Sequence, residues 1–580
     1  MIGQSLKAAC FVAGLLLASC GGGNQQSQEQ RTAIRQPLFA TEHTIIDRRS
    51  SNNAAVDEPT TTIRHRNEAR NAYFGDLHVH TKYSFDAYAF GTLASPSVAY
   101  RFAKGEAIKH PAGFDLQLRE PLDFYGVTDH GFFMGVSPVA ADTTSDFSKY
   151  PFSKVLHDLN APDNMDRWSI LDRMRSFAVA RAIAAAIVDG TLDPEEPLAI
   201  TRSASDSINA ADEHNDPGNF TTFVAYEYSI TAEDNGSLHR NVIFKNSDRV
   251  PEVPFSRMHS LNVEDLWDWM DTLREAGVES LAIPHNANKS NGHMFKLEDW
   301  AGDPFDDDYA VQRIRNEPLV EITQIKGTSE THPALSTRDE WADFELVSTR
   351  GVGMGAPVAS KPEGSYVRQA LRQGMALEAR GITNPFAFGF IGSSDTHTGT
   401  SQNDEANFIS KLGVLSAEAD LRGSVPVGFL EGLMIGIMPG QSVAEVDGKN
   451  YLGSQTTEFG ASGLAAVWAE ENTRESIYAA LRRKETFATS GPRMRLRFFA
   501  GYGLPDDLLE TTGGVARAYA LGVTMGADLA PDPDGTGRPP RFALWAQADA
   551  NSAPLQRLQI IKGWIDATGE THEAVIDVAC

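Results

Sequence analysis

Two histidines stand two residues apart in the segment 75–81 (GDLHVHT), each after an apolar residue. Side chains alternate between the two faces of a β-strand, so His78 and His80 are predicted to point to one side together with Asp76. Two neutral imidazoles with carboxylates nearby are typical ligands of a divalent transition metal such as zinc or manganese. The segment therefore predicts part of a metal site, although two partly exposed strand histidines would give the same pattern.

Four further segments place a His, Asp or Glu at or just after the end of an apolar, strand-like run. They are DFYGVTDHG with Asp129 and His130, TFVAYEYS with Glu227, LAIPHNANKS with His285, and FGFIGSSDTHTG with Asp395 and His397. Asp86 and His239 stand close to such runs. In barrels of parallel strands, active sites are assembled from residues at the carboxyl ends of several strands. This repetition favours one shared site, because separate buried carboxylates and imidazoles would each be costly without a partner.

The runs that must position these residues alternate with helix-like segments from Tyr73 onward. The predicted strands are 73–80, 122–130, 221–229, 241–245, 280–285, 319–326 and 387–393. Candidate helices include 263–276 and 366–380, and this alternation is typical of an α/β domain built on parallel strands. The interval 132–220 is too long for a simple crossover. Its alanine-rich segment 167–189 predicts an inserted helical cap.

The first twenty residues predict a secretory signal peptide, with Lys7 before a short apolar run at 8–17. The closing tetrapeptide LASC resembles a bacterial lipobox, which would make Cys20 the lipidated first residue of the mature protein. An ordinary secretory signal is the alternative. Gly21 gives no retention signal for the inner membrane, so we expect a periplasm-facing lipoprotein of the outer membrane. Residues 21–70 are rich in small and polar residues and predict a flexible linker.

The remaining chain predicts one large domain at 71–490 and a β-rich unit at 491–580. From about Met494, alternating apolar segments are separated by Gly, Pro and Asp turns, which is typical of antiparallel strands. The sequence stops just after a strand-like segment, so we expect this unit to be incomplete. Only Cys20 and Cys580 would remain in the mature chain, which excludes a disulfide framework.

The chain carries 51 basic and 77 acidic residues, a net charge of −26. This charge disfavours general affinity for nucleic acid or for anionic membranes, whereas it is easily reconciled with cation binding. We expect a small anionic substrate and membrane contact through the lipid anchor only. The oligomeric state is not predicted.

The series HxH, TDH, an isolated glutamate, PH and SDxH, in that order, resembles the PHP (polymerase and histidinol phosphatase) superfamily of metal-dependent phosphoesterases. The words YFGDLHVHT, YEYS, HRNVIF and SSDTHTG resemble a large bacterial branch of it classed as a domain of unknown function. The resemblance covers about residues 72–400 and extends to ESIYAALRRKETFATSGPR further on. It implies a distorted seven-stranded (β/α) barrel with a site for three metal ions at its mouth.

The resemblance also implies how the ligands divide among the three ions. The first ion would take His78, His80, Glu227 and Asp395; the second Asp86, His130 and His397; and the third His239 and His285, with Glu227 as a bridge. Asp86 stands where many relatives have a histidine, and this harder oxygen ligand shifts the preference towards manganese or magnesium. The identity of the ions stays open among zinc, manganese, iron and magnesium.

The expected chemistry is hydrolysis of a phosphate ester by a metal-bridging hydroxide, with Glu227, Asp395 and His239 beside it. Candidates for binding an anionic substrate are Arg240, Lys289, Lys326 and Arg101. Asp76 and Asp129 are candidates for orienting the ligand imidazoles. The ligands do not fix the bond that is broken, so hydrolysis of a sulfate ester, amide or lactone is an alternative. A non-catalytic surface binding lipoprotein is a further alternative.

Overall fold

The computed structural model describes residues 37–48, 66–166, 169–204, 206–350, 358–408, 411–416, 418–436, 442–453, 458–508 and 510–580. The predicted signal peptide with Cys20, and most of the predicted linker, lie outside the described residues. A search of the described residues finds no helix with the length and apolar character to cross a membrane.

Strands and helices alternate along most of the described chain, which confirms the predicted α/β class. The strands of four or more residues are β1 (Asn71–Asp76), β2 (Phe124–Val127), β3 (Thr221–Tyr228), β4 (His239–Phe244), β5 (Ser280–His285), β6 (Leu319–Gln324), β7 (Gly389–Gly392), β8 (Ser442–Val446), β9 (Lys449–Gly453), β10 (Leu464–Ala469), β11 (Thr486–Thr489), β12 (Arg495–Gly501), β13 (Arg541–Gln547), β14 (Leu558–Ile565) and β15 (Thr571–Ala579). The α-helices are α1 (Phe85–Ala89), α2 (Pro96–Ala103), α3 (Val136–Ala141), α4 (Ile170–Ser176), α5 (Ala178–Val188), α6 (Glu195–Ser203), α7 (Asp206–His214), α8 (Val263–Glu275), α9 (Asp307–Asn316), α10 (Val367–Glu378), α11 (Phe429–Gly436), α12 (Arg474–Arg482) and α13 (Gly514–Leu521).

A curled sheet of seven strands, a half-barrel, forms the centre of the molecule in the order β11-β10-β1-β2-β3-β4-β5. Only β1–β2 and β2–β3 pair in parallel, whereas the other neighbours are antiparallel. The predicted parallel pairing is therefore present in only part of this sheet, which is mixed. Strands β6 and β7 form a separate parallel pair, in which β6 lies beside β5 and β7 lies beside β11.

Apolar residues explain both faces of this sheet. β3 is buried along its whole length, which fits its nearly continuous apolar run. Strands on both sides of the curl contribute to one inner cluster, which the helix α12 also joins. Its members include Phe124, Phe223, Ile243, Leu281, Leu319, Ile391, Val467, Ile477 and Leu481. Helices such as α8 cover the outer face with apolar residues at helical spacing.

Two further parts of the chain are attached to this core. The interval 132–220 is largely helical and has an apolar cluster of its own, which includes Phe132, Phe147 and Ile183. Near the end of the chain, β12–β13 and β14–β15 are antiparallel pairs, as expected from the sequence. The β14–β15 hairpin packs on α10. The domain boundaries given above stay predictions.

Candidate metal centre

Glu227, near the carboxyl end of β3, is a buried carboxylate surrounded by histidines. Its Oε1 lies 2.6 Å from His239 Nδ1 and 3.3 Å from His285 Nε2. Its Oε2 lies 3.1 Å from His80 Nε2 and 3.1 Å from His130 Nδ1. These four histidines come from four different segments of the chain. Each oxygen of the Glu227 carboxylate therefore lies between two histidines that are distant in sequence.

Strand register explains why these groups meet. β3 and β5 end at the same edge of the sheet at which the antiparallel β4 begins, and His239 pairs directly with His285. His130 follows β2 and forms a parallel bridge to Glu227. The donors therefore lie within three residues of a strand end, where the backbone is still held by the sheet.

His78 and His80 reach the cluster by a different route from the predicted one. β1 ends at Asp76, and the two histidines lie on the loop that follows. Backbone bonds fix this loop to the segment after β7, from His80 N to Thr396 O at 2.9 Å and from Asp395 N to His78 O at 2.8 Å. The two imidazoles do converge, with ring centroids 5.4 Å apart. Strand alternation is not the cause.

Asp395 faces both of these histidines. Its Oδ1 lies 3.4 Å from His78 Nε2 and 3.5 Å from His80 Nε2. Both Nε2 atoms are buried and lack a hydrogen bond of good geometry among the described residues, as does His285 Nδ1. Burying such polar atoms without a partner is costly. A metal ion held between the imidazoles and the carboxylates would satisfy them, so the residues present fit the metal that the sequence predicts.

Four groups of three donors in this cluster, counted among the described residues, have ligand atoms within 4.8 Å of one another. They are His78, His80 and Asp395; His80, His130 and His397; Glu227, His239 and His285; and His78, His285 and Glu321. The first group holds three of the four ligands expected for the first ion, and the third group holds those expected for the third ion. The second group shares His130 and His397 with the set expected for the second ion. Asp86 joins that pair, since its Oδ2 lies 2.8 Å from His397 Nε2 and 3.3 Å from His130 Nε2.

Glu321 was missed by the sequence analysis. Its Oε2 on β6 lies 2.9 Å from His78 Nδ1, and burial raises the pKa of this carboxyl to about 7. No motif surrounds it. A carboxylate inside the apolar run LVEITQ was nevertheless a signal, because a buried strand rarely carries a charge without a partner.

Asp129 orients a ligand imidazole through an intermediate hydroxyl. Ser84 Oγ donates to Asp129 Oδ1 at 2.7 Å and lies 2.8 Å from His80 Nδ1. Because the single hydroxyl proton goes to the ionised carboxylate, the Ser84 oxygen accepts the proton on Nδ1. This tautomer leaves the Nε2 lone pair of His80 free for a metal.

Asp76 acts on the backbone and does not touch an imidazole. Its Oδ1 accepts hydrogen bonds from His78 N at 3.0 Å and from Ser394 N at 3.1 Å. Burial raises the pKa of Asp76 to about 6. The carboxylate thus joins the two loops that carry the first group of donors.

Two lysines hold Asp395 from opposite sides. Lys326 Nζ contacts Oδ2 and Lys411 Nζ contacts Oδ1, and Lys411 also lies 2.8 Å from His397 Nδ1. Burial alone would raise the pKa of Asp395, but the two ammonium groups outweigh it and hold that pKa well below its usual range. Lys289 is buried nearby, donates to Thr349 O at 2.7 Å, and has its pKa lowered to about 7 by burial and by Lys326. Lys411 had no motif to reveal it.

Arg240 and Arg101 are not brought to the cluster. Arg240 follows His239 on β4, so its side chain points to the opposite face of the sheet, where its Nε lies 2.8 Å from Glu317 Oε1. Arg101 lies on the exposed side of α2 and pairs with Glu106. Neither arginine is placed to bind a substrate at the cluster.

Comparison with known proteins identifies a family. The model of the family described as "Protein of unknown function (DUF3604)" matches residues 67–580. One similar solved structure is described as the crystal structure of a two-domain protein containing a predicted PHP-like metal-dependent phosphoesterase from Bacteroides vulgatus ATCC 8482. It is 10% identical, the similarity covers 88% of this chain and 96% of that chain, and the TM-score is 0.27. No curated protein matches.

Proposed function

The chain belongs to the DUF3604 family of proteins of unknown function, and we propose that it is a metal-dependent hydrolase that cleaves a phosphate ester. The observation that carries the proposal is the arrangement of buried imidazoles around the carboxylate of Glu227. In the described part of the chain, His78 Nε2 and His80 Nε2 have no hydrogen bond of good geometry. Purely structural histidines at 0% exposure would be expected to have partners. We further infer that β6 and β7 complete a distorted barrel around the inner apolar cluster.

The ligand sets implied by the resemblance are our proposal for three divalent ions. Ions bound there would acidify water and neutralise charge on the phosphoryl oxygens. Lys326, which is partly exposed, and Lys289 would bind the anionic oxygens of the substrate. The side chain of His239 is 21% exposed and its Nδ1 lies at Glu227, so His239 is on the more accessible side of the cluster. As a ligand of the third ion, it would help to hold that ion beside the substrate.

The lysines favour an anionic substrate over a neutral amide or lactone. A sulfate ester shares this anionic chemistry and belongs in the same assay. The purified protein should contain two or three divalent ions per chain and should hydrolyse phosphate esters. A chelator should abolish turnover, and Mn²⁺ or Zn²⁺ should restore it. A protein that binds no metal, or one that turns over only neutral substrates, would contradict the proposal.

Asp86→Asn tests the proposed second ion. The substitution preserves the shape of the side chain but removes the charge that faces His130 and His397. We expect the metal content to fall by one ion per chain while the other two stay bound, because Asp86 pairs with His130 and His397, which are not among the expected ligands of the first and third ions. Elemental analysis of the folded variant measures this. Loss of all the metal would show that the ions bind as one cooperative unit.

Cys20→Ser tests the proposed location. We propose that lipidated Cys20 anchors the mature protein to the outer membrane, facing the periplasm, on the basis of the LASC motif and Gly21. The variant should lose the lipid, which the mass of its N-terminal peptide measures. If the N-terminal peptide of the unsubstituted protein carries no acyl chain on Cys20, the lipobox interpretation is wrong.

A further inference from the structure

The segment between Lys411 and Gly460 begins and ends beside the candidate metal centre. Lys411 contacts Asp395. At the other end, Gly460 N donates to Ile325 O at 3.1 Å, next to Lys326. Within this segment, α11 packs on the antiparallel hairpin β8–β9. The chain on either side of α11 and β8–β9 therefore leads directly to Lys411 and to the segment beside Lys326.

The helix α11 presents large apolar side chains to solvent. Phe429, Leu430 and Leu433 are 74%, 72% and 61% exposed. Val443 and Val446 on β8 are also exposed. Between 425 and 444 the only charged residue in the sequence is Glu431, in a chain that is 22% charged. Contiguous exposed apolar surface of this kind marks a site of interaction with another body.

We propose that this apolar face, formed by α11 and β8, docks on the surface of a lipid bilayer. The inference rests on the proposed anchoring at Cys20. Sixteen residues lie between Cys20 and Pro37, the first described residue, and even fully extended this tether reaches only about 60 Å. The folded protein therefore stays close to the membrane. This tether gives the apolar face a high effective concentration at the bilayer, so even a weak contact with lipid would be occupied.

The charge of the protein indicates which lipid surface fits. The net charge of −26 opposes approach to an anionic surface. Interfacial helices that bind anionic lipids carry Lys or Arg on the polar face, whereas the sequence of α11, FLEGLMIG, contains neither. The apolar face is therefore suited to zwitterionic lipid, with binding that is insensitive to salt.

The test uses the processed chain without its lipid, residues 21–580, which keeps every described residue. Binding to phosphatidylcholine vesicles is measured by co-sedimentation. The variant Phe429→Ser, Leu430→Ser, Leu433→Ser should lose at least about tenfold in partition coefficient, because three exposed apolar side chains supply the contact. The matched control Val188→Ser, Leu521→Ser, Leu555→Ser removes exposed apolar residues elsewhere. It should bind like the unsubstituted chain.

Three results would overturn the proposal. The unsubstituted chain could fail to bind phosphatidylcholine, the α11 variant could bind undiminished, or binding could require anionic lipid and disappear in high salt. A dimer in light scattering that the α11 variant converts to a monomer, without any vesicle binding, would show that a second copy covers the face. Circular dichroism checks the folding of each variant. Metal content and turnover of a soluble ester are measured in parallel, so vesicle binding without turnover would support docking while contradicting the proposed hydrolase.

Discussion

Glu227→Gln should lower hydrolysis by several orders of magnitude and should reduce metal binding at two sites together. The structure supplies the reason, because each oxygen of Glu227 faces two histidines. Glutamine keeps one oxygen, but it replaces the other with an amide that donates and cannot ligate. It also removes the negative charge that screens two neighbouring dications from each other at short range.

The comparison with Asp86→Asn makes the test specific. Both substitutions remove one carboxylate charge from the cluster, yet Glu227 lies between four histidines, whereas Asp86 pairs with two. Metal per chain by elemental analysis should therefore fall further in the Glu227 variant. Circular dichroism checks that both variants fold. A folded Glu227→Gln protein with a full metal content and near-normal turnover would show that Glu227 is not the bridge.

The sequence revealed the residues whose position depends on short-range structure. Glu227 and His285 lie at or near the ends of apolar runs that become β3 and β5, so burial of the strand by itself places the side chain at the edge of the sheet. The motif His78-x-His80 was identified from its spacing, but the reason given for it was wrong. The strand ends at Asp76, and Leu77 and Val79 pack in different apolar clusters, so the two histidines do not lie on one face of a strand.

Residues that depend on long-range structure were missed or misplaced. Lys411 reaches Asp395 only because the chain folds back after β7, and nothing in its neighbourhood predicts that return. Arg240 was chosen for its proximity to His239, although adjacent residues on a strand face opposite sides.

The antiparallel direction of β4 could have been predicted from the length of the preceding loop. Only ten residues connect Tyr228 to His239, which is too few for a crossover to a parallel strand.

Asp395→Asn should abolish turnover and should also destabilise the metal-free protein more than other single changes in the cluster. In the wild type, Lys326 and Lys411 each contact one carboxylate oxygen in a buried setting. Removing the charge leaves two ammonium groups without a counter-ion. Breaking a buried ion pair from one side costs about 3–5 kcal/mol. Urea denaturation of chelator-treated protein should show a loss of this order in the free energy of unfolding.

A second substitution separates this electrostatic cause from a packing defect. In the background of Asp395→Asn, Lys411→Met replaces the buried ammonium with an apolar side chain of similar length, so part of the lost stability should return while turnover stays absent. Lys109→Met removes an exposed lysine that pairs with Asp115, and in the same background it should restore nothing. The coupling energy between Asp395 and Lys411 follows from the double-mutant cycle. Lys411→Met could instead lower the free energy of unfolding of the Asp395→Asn variant further. That result would show that Lys411 stabilises the protein through contacts other than its ion pair with Asp395.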